Sequence, residues 1–364
     1  MENEQLTARP RLEWIDAMRG FTMILVVAMH VVTQGFVQDV KTSSSLPLFL
    51  LLRMPLFFFI SGFLSYKAKA DWSFDGFCGM IGKKVRIQII PTVVFFFVAL
   101  TLIHPKTFCS SMLANLESPM KGGYWFTLTL LYMFIAYYIF EFFEHKLKKQ
   151  TCIPIIMLWI VSIMLYQTCY MPHEFSWAFG RRVPYTGWLH YTSMLQFMIY
   201  FNFFVFGNIV HRYWHNVEKL YDRQGFIFAL IVIAFVSACD YTTLHMLRGA
   251  WANISQTVAR YALLTLTFLV FRYYQKSFSK TKFVGRGLQY IGTRTLDIYL
   301  IHFLFLPRIP EIGEFLNAHP HNFVFDTTLA LLSGLLVIGF CLITSSILRM
   351  SPFLKKYLFG RESK

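Results

Sequence analysis

The feature that most constrains this chain is a series of ten apolar stretches, each near the length needed to cross a bilayer. They run Ile15–Phe36, Leu46–Tyr66, Val85–Ile103, Tyr124–Phe143, Ile153–Tyr170, Leu189–Val210, Phe226–Cys239, Ile254–Phe271, Leu288–Leu306 and Phe325–Leu348. The seventh and ninth are the weakest, being short or interrupted by polar residues. Only 15% of the residues are charged and 40 are Phe, whereas a soluble domain carries about a quarter charged residues. Such a chain lacks the polar surface to cover a water-soluble core. The expected fold is an all-α polytopic membrane protein, a bundle of about ten transmembrane helices.

Charge orients those spans. With the N-terminus placed in the cytoplasm, 23 of the 34 Lys and Arg fall in cytoplasmic segments and 7 in outer loops. That is the bias of inward-facing loops, and it puts both termini in the cytoplasm. The same bias accounts for the net charge of +15, so nucleic acid is not an expected partner. One integral-membrane domain is expected over residues 1–364, with cytoplasmic tails at 1–14 and 349–364. No cleavable signal is expected, because the first apolar stretch continues as a full span. The six Cys show no metal-ligand spacing and read as small buried apolar residues.

Four cations belong to neither side: Arg19, Arg53, Arg260 and Arg294. Ionisable groups inside a span cost free energy and point to function. Asp16, Arg19 and His30 form the most informative group. Eleven residues at about 100° each put Arg19 and His30 on one helix face, about 16 Å apart. Asp16 stands one turn earlier on nearly the same face. The expectation is a polar track from the membrane surface to its middle. A neutral imidazole there suits a general base; an ion pair plus a core His is the plainer alternative. No second ligand stands at metal spacing in the span, so no metal is expected. Arg53 lies near the outer end of its span and is expected to snorkel outward.

Four more elements carry candidate chemistry. Met54 to Phe63 places Pro55 before an aromatic run and Ser61-Gly62 after it, which favours close helix approach. Lys83, Lys84 and Arg86 open a span from the cytoplasmic side, suited either to phosphates or to ordinary anchoring. Gly122-Gly123-Tyr124-Trp125-Phe126 opens another from the outer side. Trp125 there either stacks on a sugar or joins the aromatic belt, as do Trp177, Trp188 and Trp251. Tyr290 to His302 contains Arg294 and Asp297 at i,i+3, the spacing of a self-neutralising helical pair, with His302 further out.

In this order, the five elements resemble the membrane acyltransferase-3 superfamily. Its first helix reads Asp-x-x-Arg-Gly, then His ten residues further on, as in Asp16, Arg19, Gly20 and His30. Its Phe-Phe-x-x-Ser-Gly-Phe element matches Phe57 through Phe63. The basic stretch ending in Pro matches Lys83 to Pro91, with Lys replacing Arg at some positions. Trp125-Phe126 and the late Ile-Gly…Ile-Tyr-Leu-Ile-His match as well. The chain resembles the short members, fucose 4-O-acetylase-like and enterobacterial-common-antigen acetyltransferase-like, and no C-terminal esterase domain is expected. Longer members show Trp-Ser-Leu with a nearby Glu; here Trp125-Phe126-Thr127 stands with Glu141 far along the helix.

The resemblance implies transfer of an acyl group, usually acetyl, from cytoplasmic acetyl-CoA to a glycan hydroxyl in the inner membrane. Taken with the shared helix face, the expected roles are His30 as base, Arg19 positioning the donor and Asp16 orienting Arg19, by direct attack or through an acyl-His30 intermediate. Arg19, Lys83, Lys84 and Arg86 are the expected donor-binding residues. Ser61, Trp125, Arg260, Arg294, Asp297 and His302 are the expected acceptor-side residues. The expected partners are a glycan or lipid-linked sugar acceptor and the lipid bilayer, with a homodimer left open. A transporter of a glycan or acylated metabolite is the rival reading. It calls for broken helices in corresponding halves, and the sequence shows no such symmetry.

Overall fold

A computed structural model describes residues 12–67, 71–147, 151–170, 191–241, 246, 250–319 and 322–359. Trp177 and Trp188 lie outside the described residues. Within these residues all regular structure is helical. The first half comprises α1 (Glu13–His30), α2 (Leu46–Ser65), α3 (Phe74–Lys84), α4 (Ile90–Ile103), α5 (Phe108–Glu117), α6 (Trp125–Lys146) and α7 (Ile153–Tyr170). Then come α8 (Met194–Arg212), α9 (Trp214–Tyr221), α10 (Gln224–Cys239) and α11 (Ala250–Tyr273). The chain ends with α12 (Phe283–Thr293), α13 (Thr295–Ile301), α14 (Pro310–Ala318), α15 (Phe323–Leu348) and α16 (Pro352–Phe359). π-helical turns extend α1 over Val31–Gly35 and join α3 to α4 over Val85–Ile89.

Among the described residues, seven stretches are long and apolar enough to cross a membrane, and an eighth arises if α9 and α10, bent by 79°, are taken as one span. Two of the ten expected spans, the seventh and the ninth, take other forms. The seventh is α10, one arm of that bent pair. The fifth forms as α7 over its expected bounds, Ile153–Tyr170. The ninth is broken into α12 and α13 at Arg294, whose backbone (φ −117°, ψ 21°) leaves the helical region.

The core sits around α1. Its residues from Trp14 to Met29 are buried on nearly every side, as expected of a helix that is apolar all round and lies inside a bundle. In a bilayer, helices associate through close van der Waals contact, which small residues permit. Between α1 and α12, a Cβ on Gly20 would meet the Leu288 carbonyl oxygen at 1.9 Å, and one on Gly292 the Asp16 oxygen at 1.8 Å. The close approach expected at Ser61-Gly62 is also present: a Cβ on Gly62 would lie 1.8 Å from the Phe204 oxygen of α8. The α1–α12 contact sets the depth of Arg19 against the broken helix. Gly292→Ala must push two backbones apart, so we expect about 1–3 kcal/mol of destabilisation or more, read as a lower melting temperature in detergent. An unchanged melting temperature would refute the tight contact.

Candidate active site

His30 stands where a larger and a smaller cavity of the bundle approach each other. The larger, about 330 Å³, is lined by Arg19, His30, Arg53, Ser61, Lys67, Lys84, Gln88, Trp125, Asp297 and Arg349 among others. One end is basic. Arg19 lies near the start of α1, Lys67 just beyond α2, Lys84 at the end of α3 and Arg349 just beyond α15. The other end holds His30, Arg53 and Trp125, from the opposite ends of their helices. His30 is 17 residues, or about 25 Å, along from Glu13 in a span reaching Gly35. The polar track therefore runs past the middle of the span, deeper than the sequence suggests.

Arg19 is held at two points. Its Nη1 is 3.7 Å from Asp16 Oδ1, and its Nη2 donates to Thr295 Oγ1 at 3.0 Å. The break at Arg294 is what presents Thr295 to it. Asp16 is buried and does not line the cavity. Lys84 lines it, with its ammonium 3.5 Å over the Phe134 ring. Lys83 and Arg86 are exposed and point elsewhere.

The i,i+3 pair expected between Arg294 and Asp297 is not the one that forms. Arg349 grips Asp297 with a two-pronged contact, Nη2 to Oδ1 at 2.7 Å and Nε to Oδ2 at 2.9 Å, and Ser345 Oγ donates to Oδ2 at 2.6 Å. The break turns Arg294 away, onto Ser346 Oγ at 3.0 Å and the Tyr290 ring. Neither Arg294 nor Arg260 lines the cavity; Arg260 is buried and donates to the Tyr166 hydroxyl at 2.5 Å. Glu141 is also remote, paired with Arg212 at 3.1 Å.

His30 is ringed by aromatics. Its centroid lies 5.1 Å from those of His302 and Phe303. His302 is fully buried, and its Nδ1 is 2.8 Å from the Tyr299 carbonyl and 3.1 Å from that of Ile298. Carbonyls only accept, so Nδ1 carries the proton. His302 thus backs His30 and does not line the cavity. Gln34, in the π-helical turn, is 3.3 Å from His30 Nδ1 through its amide nitrogen. A half-turn of that amide exchanges donor for acceptor. Gln34 therefore governs which ring nitrogen holds the proton, and a base needs the other one free.

The smaller cavity, about 190 Å³, lies beyond. Gln34, His104, Asn115, Gly122, Tyr124, Phe303 and Arg308 line it with several apolar side chains. Its walls come from the ends of α1, α4 and α13 and from the Gly122-Gly123 turn, where both glycines have positive φ. That turn is strapped to α13: Tyr299 Oη donates to the Gly123 carbonyl at 2.8 Å and Tyr124 Oη to that of Leu300 at 3.0 Å. A Cβ on Gly123 would meet Phe303 Cζ at 2.1 Å. Phe303 and this turn form a septum between the cavities, with His30 on one side and its partner Gln34 on the other.

Sequence reasoning missed Arg53, Lys67, Gln88 and Arg349 as cavity residues, and Gln34 as the partner of His30. Arg53 gave a signal, a cation in an apolar helix, but it faces the cavity rather than snorkelling outward. Gln34 was findable at i+4 from His30.

An all-helical, multi-pass membrane protein with a basic internal cavity ending on an imidazole is the class that fold and site define. Compared with known families, residues 12–350 match an acyltransferase domain, and the chain belongs to the acyltransferase-3 family. It is thereby a membrane acyltransferase. No curated protein and no solved structure matches it.

Proposed function

We propose that the protein takes an acetyl group from cytoplasmic acetyl-CoA and places it on a hydroxyl of a cell-envelope glycan or lipid-linked sugar, in the inner membrane. The observation that carries this reading is the position of His30, in the basic cavity yet bonded to a residue of the second cavity. A cavity of about 330 Å³ takes a slender acyl-pantetheine arm and leaves the polyanionic nucleotide at the mouth. There Arg19, Lys67, Lys84 and Arg349 supply positive charge. The acceptor comes from the other side, where Gln34, His104, Asn115 and Arg308 offer hydrogen bonds to a sugar.

The chemistry follows from that arrangement. His30 takes the proton of the acceptor hydroxyl as its oxygen bonds to the thioester carbon. The carbon–sulfur bond then breaks, and the leaving CoA sulfur receives that proton. Holding both reactants at one septum supplies much of the rate by proximity. Asp16 and Thr295 act through Arg19, fixing its guanidinium at the donor end.

Mass spectrometry of glycans from cells with and without the gene tests the reading directly. One glycan should lose a single acetyl mass; identical glycan profiles would overturn it. Arg19→Ala should weaken acetyl-CoA binding about tenfold, the loss of one charge-assisted contact of about 1.5–3 kcal/mol partly offset by the other cations. Calorimetric titration of the purified variant measures this, and unchanged affinity would remove Arg19 from the donor site.

A further inference from the structure

We propose that Arg53 is a further catalytic residue, the cation that stabilises the oxyanion formed when the thioester carbonyl is attacked. This rests on the acyl-transfer reading above. Arg53 sits seven residues into α2 and lines the larger cavity beside His30, Gln88 and Trp125. Its Nε is buried and has no hydrogen-bond partner among the described residues. No carboxylate pairs with it there. Tyr200 and a second cation, Arg260, are among the ionisable groups near it. His30 in turn feels Arg53 and His302.

A half-buried cation lining an internal cavity without a counter-charge carries a cost, and a second cation nearby raises it. Three other arginines show how such charges can be met: Arg349 by Asp297, Arg212 by Glu141 and Glu144, Arg272 by Glu218 and Asp222. Arg53 departs from that pattern at the one place where His30 meets the cavity. The missing anion is supplied by the reaction. Nucleotide phosphates do not reach it, because Lys67 at the mouth is 14 residues, about 20 Å, further along the same helix direction. The group that arrives beside His30 is the thioester carbonyl.

The step balances without other reagents. The acceptor oxygen bonds to the carbonyl carbon, its proton passes to His30, and the carbonyl π electrons move onto oxygen opposite Arg53. That charge then re-forms the carbonyl, the carbon–sulfur bond breaks, and the thiolate takes the proton from His30. A fixed donor aimed at developing charge costs no reorganisation during the reaction, and removing one such donor typically lowers kcat about 100- to 1000-fold.

The test uses full-length protein in membranes from cells that supply the acceptor, with acetyl-CoA as the probe and release of CoA thiol as the readout. Arg53→Met is expected to lower kcat about 100-fold or more with little change in the KM for acetyl-CoA. Arg53→Lys, which keeps the charge but not the fork, is expected to fall between Met and wild type. If Arg53→Met does not accumulate, Arg53→Gln carries the same comparison, with acetyl-CoA binding as the check on folding. A kcat within about threefold of wild type in a folded, neutral variant would overturn the proposal, being far short of the loss of an oxyanion donor. A raised KM for the acceptor with intact kcat would also overturn it, assigning Arg53 to a permanent anion on that substrate. If the wild-type protein releases no thiol, the acyl-transfer reading itself fails and this inference falls with it.

Discussion

Purified His30→Ala is expected to bind acetyl-CoA as wild type does and to transfer acyl groups about 100- to 10,000-fold more slowly, the range lost with a general base. The separation of the two effects follows from geometry. The cations that meet the donor lie at the basic end of the cavity, while His30 lies at the other. Removing the imidazole leaves Arg19, Lys67, Lys84 and Arg349 untouched. It also leaves the fold intact, because the ring faces a cavity rather than filling the core. Thiol release and calorimetric binding on the same preparation check both halves. Full transfer activity in the variant would remove His30 from the chemistry; loss of binding would show that the ring holds the donor instead.

A second large effect, on stability, is expected at Asp297. The carboxylate is 3% exposed and carries two prongs of Arg349 plus the Ser345 hydroxyl. Asp297→Ala strands a guanidinium whose side chain is 14% exposed. Breaking a buried pair in this way costs about 3–5 kcal/mol. The variant should melt far below wild type in detergent and lose acetyl-CoA binding together with the fold, unlike His30→Ala. Removing both charges, Asp297→Leu with Arg349→Met, should recover much of the stability, since apolar replacement of a buried pair is often neutral or better. A double variant that melts as low as the single one would show that the stranded charge is not the cause.

These residues also show what a sequence can and cannot disclose here. Asp16, Arg19 and His30 were legible because one regular helix carries them, and helical spacing converts directly into shared orientation. Gly62 was legible because a small residue in an apolar span has few uses besides close packing. Asp297 was visible as an important charge, yet its partner was not. Its nearest cation in sequence is Arg294, and only a break at Arg294 sends that residue elsewhere and admits Arg349 from 52 residues away. The break stands two residues beyond Gly292, where α12 lies against α1 in a contact between distant segments. Arg53 was misread for a related reason. Position along a helix gives depth, but whether a side chain turns to lipid or to an internal cavity depends on which neighbours surround it. The membrane class and the family, by contrast, rest on features spread over the whole chain.

The septum at Phe303 and Gly123 has an electrical consequence. Two cavities reaching inward from opposite ends leave one thin layer of insulation, and much of a transmembrane voltage falls across it. Carrying one elementary charge through such a drop involves about 2.3 kcal/mol per 100 mV. In the proposed reaction the acetyl group leaves the C–S bonding electrons on sulfur and passes outward as the equivalent of an acetyl cation. The acceptor's proton passes the other way, through His30 to the CoA sulfur. The two transfers cancel, since thioester and hydroxyl become ester and thiol with every reacting group neutral, so each turnover moves no net charge and the membrane voltage neither drives nor opposes it.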